Sequence, residues 1–332
     1  MSSKVIENCC LLADNRDILH KKFMWEGDIM ISAASMIFTE AGRKADVDRM
    51  KACRKILQKK KGLFSEFRGI AEMIVISRMA LMEDPEAYLD QLSALYDQLH
   101  EGKLLGSEYM VLSAICISDL YAGEEAAATV QKVRSLMKKM KELHPFLTSS
   151  EDMAYVSLMA LSPKTETILI EEAESAYQQL KDHFTFHKNA VQSLGMVLAA
   201  LPGSAAAKCD KVLEIFNALK EQKIRYGKEE ELPSLGILSD LNLPTGQLVE
   251  EIKEAESYLR ERKGFGALTI GKTARIMFAA LMTAKAYQEN TSMNVIGTAA
   301  VSSSISTMIA IQTAMLVMMT TSSAASSAAT NN

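Results

Sequence analysis

The chain has 332 residues, of which 48% are apolar and 23% are charged. This composition excludes wholesale disorder, because it supplies ample material for a packed core. Lys and Arg number 37 against 41 Asp and Glu, giving a formal net charge of -4, so the overall basic excess typical of nucleic-acid-binding proteins is absent and we expect no nucleic-acid partner.

The composition of the N-terminal segment predicts no export signal. It carries Lys4 and Glu7 and no long apolar stretch, so we expect neither a signal peptide nor a lipoprotein signal. The five cysteines are an odd number without CxxC spacing, which is typical of a reducing compartment. The sequence therefore predicts a cytoplasmic protein.

Leucines at corresponding places recur about every 40 residues, each near the end of a short apolar run. Longer charged segments separate these runs, and aromatic residues mark the joints between units. Recurrence at a fixed stride indicates stacked copies of one helical hairpin. The recurring leucines are Leu81, Leu120, Leu161, Leu201, Leu241 and Leu281.

Each repeat unit begins with a short apolar helix and continues with a longer amphipathic one. Residues 107–121 and 150–161 are apolar on most sides, as expected for a sheltered layer. Residues 124–143 and 166–183 place apolar side chains at helical spacing among Lys and Glu. No segment shows sustained strand alternation. The predicted fold is all-α, a solenoid of about seven hairpins with N- and C-terminal capping helices.

We predict one α-solenoid domain over residues 1–320, followed by a disordered Ser/Ala tail. Its N-terminal cap is predicted at 1–22, six hairpin units at 24–264, and the last unit with a C-terminal apolar helix at 265–320; the tail covers 321–332.

The C-terminal apolar stretch, residues 293–319, is long enough to cross a bilayer. It also contains many hydroxyls and amides, including Asn294 and Gln312, and no basic flank follows it. We favour a buried capping or dimerisation helix, which would allow a homodimer through 293–319. A membrane anchor is the alternative.

Residues Gly266 to Thr273 satisfy the phosphate-loop pattern GxxxxGK[ST]. That loop needs a preceding buried strand, but a charged amphipathic helix precedes it here, so we interpret it as a joint between units. A phosphate or carboxylate at the N-terminus of a following helix is the alternative. The candidate anion site is Gly271, Lys272 and Thr273.

The sequence predicts no metal site, no cofactor and no catalytic residue. His183 and His187 are four residues apart, as zinc ligands on one helix would be, but no third ligand is evident nearby. No serine lies in a nucleophile elbow.

Polar and acidic residues stand at the starts of successive short helices, where stacking in register would align them along one edge. Capping of the helices alone explains acidic residues in first turns. The functional interpretation is an acidic binding edge for a basic or hydroxyl-rich partner. Its candidate residues are Glu108, Glu151, Asp152, Asn189, Gln192 and Glu231.

Four stretches resemble an uncharacterised family of proteins from Gram-positive bacteria, filed as a domain of unknown function. The stretches are Asn15-Arg16-Asp17, residues 146–152 (FLTSSED), residues 189–194 (NAVQSL) and Gly264-Phe265-Gly266. The resemblance covers nearly the whole chain except the Ser/Ala tail. It implies a soluble cytoplasmic protein and carries no activity, cofactor or catalytic residue.

Three functions are consistent with these patterns. The leading hypothesis is a scaffold whose curved surface binds a protein or peptide, an inference from architecture that leans away from an enzyme. The first alternative is an enzyme in which the hairpins close into an α/α toroid and paired carboxylates converge on a central pocket. The carboxylates of this alternative are Glu108, Glu151, Asp152 and Glu229 to Glu231. The second is a nucleotide or anion binder through Gly266 to Thr273.

Overall fold

The structure, a computed structural model, describes residues 1–102, 105–185, 187–227, 229–288 and 305–319. These residues form fifteen α-helices, three short 3₁₀ helices and no β-strand, which confirms the all-α prediction for the described part of the chain. The helices are α1 (Ser3–Phe23), α2 (Asp28–Glu40), α3 (Val47–Lys60), α4 (Glu72–Leu81), α5 (Pro85–His100), α6 (Glu108–Ser118), α7 (Gly123–Leu143), α8 (Met153–Leu161), α9 (Glu166–Leu180), α10 (Lys188–Ala200), α11 (Ala205–Glu221), α12 (Ser234–Ser239), α13 (Thr245–Arg260), α14 (Gly271–Gln288) and α15 (305–319).

The even-numbered helices α2 to α14 form an inner row. Every residue of α8 is buried, as is every residue of α6 from Tyr109 to Ile117, so these helices have no solvated face. Contacts run from α2 to α4 and from α6 through α8, α10 and α12 to α14. The 3₁₀ helix Gly69–Ala71 precedes α4 and contacts α6. The inner row is therefore continuous.

The odd-numbered helices α1 to α13 form an outer row. They are amphipathic, and in α7 the side chains of Val130, Val133, Leu136 and Met140 are buried while the intervening lysines remain accessible. This 3- and 4-residue spacing produces one apolar stripe. Contacts run in order from α3 through α5, α7, α9 and α11 to α13, so each outer helix packs beside the next.

The two rows close on themselves at α1. This helix contacts α2 and α3 on one side and α13 and α14 on the other. The Nδ2 atom of Asn8 donates to the Met282 carbonyl at 3.3 Å, and the Nζ atom of Lys285 donates to the Glu40 carbonyl at 3.1 Å. The N-terminal segment therefore lies at the junction between the first and last helices of a closed ring.

Asn15 and Arg16 tie α1 to α2 and to the loop after α2 from the buried face of α1. Asn15 donates to Thr39 Oγ1 and to the Arg43 carbonyl, at 3.2 and 3.0 Å, and accepts from the Ala45 amide at 2.8 Å. Arg16 is 1% exposed and pairs with Asp28 at the start of α2. The buried polar groups between α1 and α2 are thus satisfied by hydrogen bonds and an ion pair.

Helix α15 lies inside the ring. Its residues 305–315 are all buried. Near its start Ser306 accepts from Gln288 at the end of α14, and near its end Met319 accepts from Tyr109 at the start of α6. Helix α15 therefore runs antiparallel to the inner helices, an arrangement that opposes their dipoles favourably.

The prediction of a buried or membrane-anchoring C-terminal stretch falls partly on α15. Residues 293–304, and the predicted disordered tail 321–332, lie outside the described residues. In the part of the chain that the structure describes, no helix has both the length and the apolar character of a membrane span. Residues 305–315 are buried against their own chain.

Candidate functional site

A cavity of about 790 Å³ opens at the end of the ring where the inner helices begin. Its walls come from the segment before α8, the start of α10, the segment before α12 and the end of α15. Parts of the chain that are distant in sequence therefore share one concave surface. The lining residues are Glu151, Thr185, His187, Lys188, Asn189, Ala190, Glu229, Glu230, Leu316 and Val317.

A capping box determines which acidic residue before α8 faces the cavity. The Ser149 amide donates to Asp152 Oδ2 at 2.8 Å, and Ser149 Oγ accepts from the Glu151 amide at 3.1 Å. This reciprocal pattern satisfies backbone donors at a helix start. Because Asp152 is buried in the cap, the neighbouring Glu151 side chain is the one exposed in the cavity.

A second local hydrogen bond orients the acidic segment before α12. The buried Glu231 carboxylate accepts from the Gly227 amide at 3.1 Å. The Glu230 carbonyl accepts from Thr313 Oγ1 of α15 at 3.3 Å, which ties this segment to the central helix. Glu231 therefore supports the loop, while Glu229 and Glu230 line the cavity.

The carboxylates at this end of the ring interact electrostatically. Burial raises the pKa of Glu230, and the negative charge of Glu151 raises it further. Burial also raises the pKa of Asp152 to about 6. The pKa of Tyr109, at the start of α6, is raised by burial and then by Glu151 and Glu108. Glu108, Glu151, Asp152 and Glu230 thus lie around one region.

The structure separates the six residues of the predicted acidic edge by role. Glu151 and Asn189 line the cavity, and Asp152 and Glu231 stabilise the adjacent loops. Gln192 is buried and donates to Thr148 Oγ1 at 2.8 Å, so it connects α10 to the segment before α8. Glu108 is half-buried at the start of α6. The set does converge on one end of the ring.

Several lining residues were not among the predicted ones. Thr185 and Lys188 lie just before α10 and in its first turn, so their position was a usable signal. Leu316 and Val317 carry no such signal, because only the insertion of α15 into the ring brings them to this end.

The cavity lining contains both acidic side chains and side chains with nitrogen donors. Glu151, Glu229 and Glu230 are acidic, whereas Lys188 and His187 supply nitrogen donors on the α10 side. Among the described residues no group of three or more His, Cys, Asp or Glu has the arrangement of a metal site. The arrangement can bind hydroxyl groups and transfer protons between a carboxylic acid and a carboxylate.

The residues of the GxxxxGKT pattern lie elsewhere, at the joint before α14. Thr269 Oγ1 donates to the carbonyls of Gly264 and Gly266 at 2.8 and 2.9 Å, so the segment forms a turn stabilised by its own hydrogen bonds. Helix α13, not a strand, precedes it. Gly271 is the first residue of α14, Thr273 is exposed, and Lys272 lines a second cavity.

The fold and the site define an all-helical protein with a closed ring of helices around a buried C-terminal helix. The chain belongs to the family described as "Protein of unknown function (DUF4003)", which it matches over residues 15–314. The predicted family resemblance is therefore confirmed, while the Gram-positive origin stays a prediction. No curated protein and no solved structure matches the chain significantly.

Proposed function

We propose that the protein is an enzyme-like ring whose acidic cavity binds a small hydroxyl-rich molecule, with Glu151 and Glu230 performing acid–base chemistry. One observation carries this proposal: two carboxylates from distant parts of the chain line the same cavity. Burial and the charge of Glu151 raise the pKa of Glu230, so its protonated form persists to higher pH than that of an ordinary glutamate.

The order of the helices supports this proposal through the geometry of the ring. Outer and inner helices alternate along the chain, and α1 takes the outer place beside α14, which has no outer helix directly after it. A closed α/α ring brings the starts of all inner helices to one end. An open solenoid would instead spread the same helix starts along an extended edge.

The division of charge at the cavity suits proton transfer. A carboxyl group with a raised pKa can donate a proton, while a neighbouring carboxylate can accept one. Thr185, Asn189 and Lys188 can hydrogen-bond the remaining hydroxyls of a ligand. A volume of about 790 Å³ lies within the usual range for small-molecule sites.

The protein-binding scaffold receives less support from the fold. Such a scaffold needs an accessible concave surface, but α6 and α8 are buried between the outer row and the interior, where α15 lies. A homodimer through 293–319 would require residues 305–315 to leave this interior. A protein or peptide partner, a homodimer and cytoplasmic localisation stay predictions.

Ligand binding tests the proposal directly. We expect monosaccharides, amino sugars and polyols, screened by saturation-transfer NMR and isothermal titration calorimetry, to include a ligand for the wild-type protein. Glu230→Gln removes the titrating proton, so it should weaken binding about tenfold or more and flatten its pH dependence. Glu151→Gln should also weaken binding.

Glu171→Gln is the matched control, because Glu171 is exposed on α9 and does not line the cavity. It should bind as the wild type does. The proposal is wrong if no compound of this class binds at millimolar concentration, or if Glu230→Gln and Glu151→Gln bind with wild-type affinity and pH dependence.

A further inference from the structure

A second cavity, of about 260 Å³, lies among the end of α11, the middle of α13 and the first turn of α14. Its lining is strongly basic, unlike that of the acidic cavity. Five basic side chains from three parts of the chain contribute to it. They are Lys223, Lys253, Arg260, Lys272 and Arg275.

The negative charge in this lining is already neutralised. Glu256 is the one carboxylate among the described lining residues, and its Oε1 atom accepts from Nε and Nη2 of Arg275 at 2.9 and 2.7 Å. Arg275 is 4% exposed and also donates to the Phe265 carbonyl at 2.7 Å. Arg275 and Glu256 therefore form a fixed, charge-balanced wall.

Three of the other cations line the cavity with exposed side chains. Within the described part of the chain, Lys223, Arg260 and Lys272 form no ion pair. Lys253 has a carboxylate neighbour, Glu250, at 3.2 Å, and both of these side chains are about half exposed. Because like charges held together repel one another, such a cluster is stabilised by an anion between them.

Lys223 occupies a backbone conformation that is costly for its residue type. Its φ of +59° makes it the one non-glycine residue with positive φ among the residues described. It follows α11 and its amide donates to the Lys220 carbonyl at 2.9 Å, a helix end where glycine is usually found. A lysine here costs about 1 kcal/mol relative to glycine, yet it places a cation on the wall of the cavity.

Helix α14 adds to the same positive field. Its first turn, which includes Lys272, contains no acidic residue, and the N-terminus of a helix of this length attracts anions. A volume of about 260 Å³ is smaller than typical sites for whole drug-sized ligands. The cavity therefore suits a compact anion or one phosphorylated end of a larger molecule.

We propose that this cavity binds a small phosphate-bearing anion of the pyrophosphate class, held by Lys223, Arg260 and Lys272 against the fixed wall formed by Arg275. This site shares no residue with the acidic cavity and does not depend on the function proposed there. It extends the candidate anion site at Lys272 to residues of α13 and to the loop after α11, and it needs no phosphate-loop fold.

Calorimetric titration with pyrophosphate, at low and at moderate ionic strength, tests the site. We expect the wild-type protein to bind with a dissociation constant below 1 mM, and more weakly as salt rises, because charge dominates the interaction. The double variant Arg260→Gln/Lys272→Gln should weaken binding at least tenfold.

Lys223→Gly separates binding from stability. Glycine relieves the backbone cost at this position, so the variant should unfold at the same or a higher urea concentration, while its affinity for pyrophosphate falls about fivefold. Lys220→Gln is the matched control, because Lys220 is exposed on α11 and does not line the cavity; it should bind as the wild type does. The proposal is overturned if the wild type does not bind pyrophosphate, or if Lys220→Gln loses as much affinity as Lys223→Gly.

Discussion

Single residues at the seam determine whether the first and last helices can meet. Gly264 follows α13, and a Cβ atom built on it would lie 1.6 Å from the Arg16 guanidinium carbon. Its φ of +84° is also a conformation that favours glycine. The buried arginine of α1 thus fits against the joint before α14 because that position has no side chain.

Gly264→Ala should destabilise the protein by about 3 kcal/mol, since it combines backbone strain with displacement of a buried arginine. Gly42→Ala is the matched control, because Gly42 has a φ of +64° and open space around its Cβ position; it should cost only about 1 kcal/mol. Urea unfolding of both variants measures the difference. Equal destabilisation would show that Arg16 accommodates the extra methyl group.

The sequence alone identifies some of the individual residues that line the cavity. Glu151 and Asn189 were found because they lie at helix starts, which capping preferences reveal. Glu229 to Glu231 were predicted as a group around a pocket, but their separate roles could not be predicted. The three are consecutive, and only the hydrogen bond from the Gly227 amide to Glu231 determines which of them face the cavity. Likewise, only ring closure brings Arg16 to Gly264.

At the scale of elements, α9 and α10 pack closely through a small residue. A Cβ atom on Gly195, in the middle of α10, would lie 2.8 Å from the Ala173 carbonyl oxygen of α9. Because that atom belongs to the backbone, it cannot move away by changing a rotamer. Gly195 therefore sets how near these two helices approach.

Gly195→Ala should destabilise the protein by about 1–3 kcal/mol, although alanine is favoured over glycine by about 1 kcal/mol in an unconstrained helix. Gly246→Ala, in the first turn of α13 where nothing lies within 4 Å of the Cβ position, should be neutral or slightly stabilising. Thermal and urea unfolding report both effects. If both variants were stabilised, the proposed close approach of α9 and α10 would be wrong.

The sequence predicts the bounds of the helices better than it predicts how deeply the residues between them are buried. Residues 124–143 and 166–183 were predicted as amphipathic helices, and α7 and α9 cover Gly123–Leu143 and Glu166–Leu180. Two of the aromatic residues predicted at joints, Phe146 and Phe265, do lie between helices, but Phe146 is 98% exposed and Phe265 is fully buried. Periodicity locates a joint, whereas the packing of neighbouring helices determines its burial.

At the scale of the whole molecule, the sequence pattern is the same for an open array and a closed ring. The predicted period near 40 residues describes one helical hairpin, but the small rotation between successive hairpins decides whether the last one returns to the first. The contacts of α1 with α13 and α14 supply that answer. The position of α15 could not be predicted either, because an apolar helix fits a ring interior, a dimer interface or a membrane equally well.

Ring closure has a consequence for folding. In an open repeat array, each unit is stabilised only by its neighbours, so damage at one end leaves the other end folded. In a closed ring both neighbours of every unit are present, and the buried helix α15 contacts several units at once. We therefore expect the described helices to unfold as one cooperative body.

Leu19→Ala and Leu158→Ala test this expectation. Leu19 lies on α1, at the seam, and Leu158 lies on α8, well away from the seam along the inner row. Both side chains are fully buried. Each should cost about 2–5 kcal/mol. Each should also keep a single urea transition with an unchanged m-value, and hydrogen exchange should accelerate in α8 and α10 even when the substitution is at the seam. Glu171→Gln, exposed on α9, should change neither measurement. If Leu19→Ala gave two transitions and left exchange in α8 and α10 at the wild-type rate, the helices would be behaving as an open array and the ring would not be a cooperative unit.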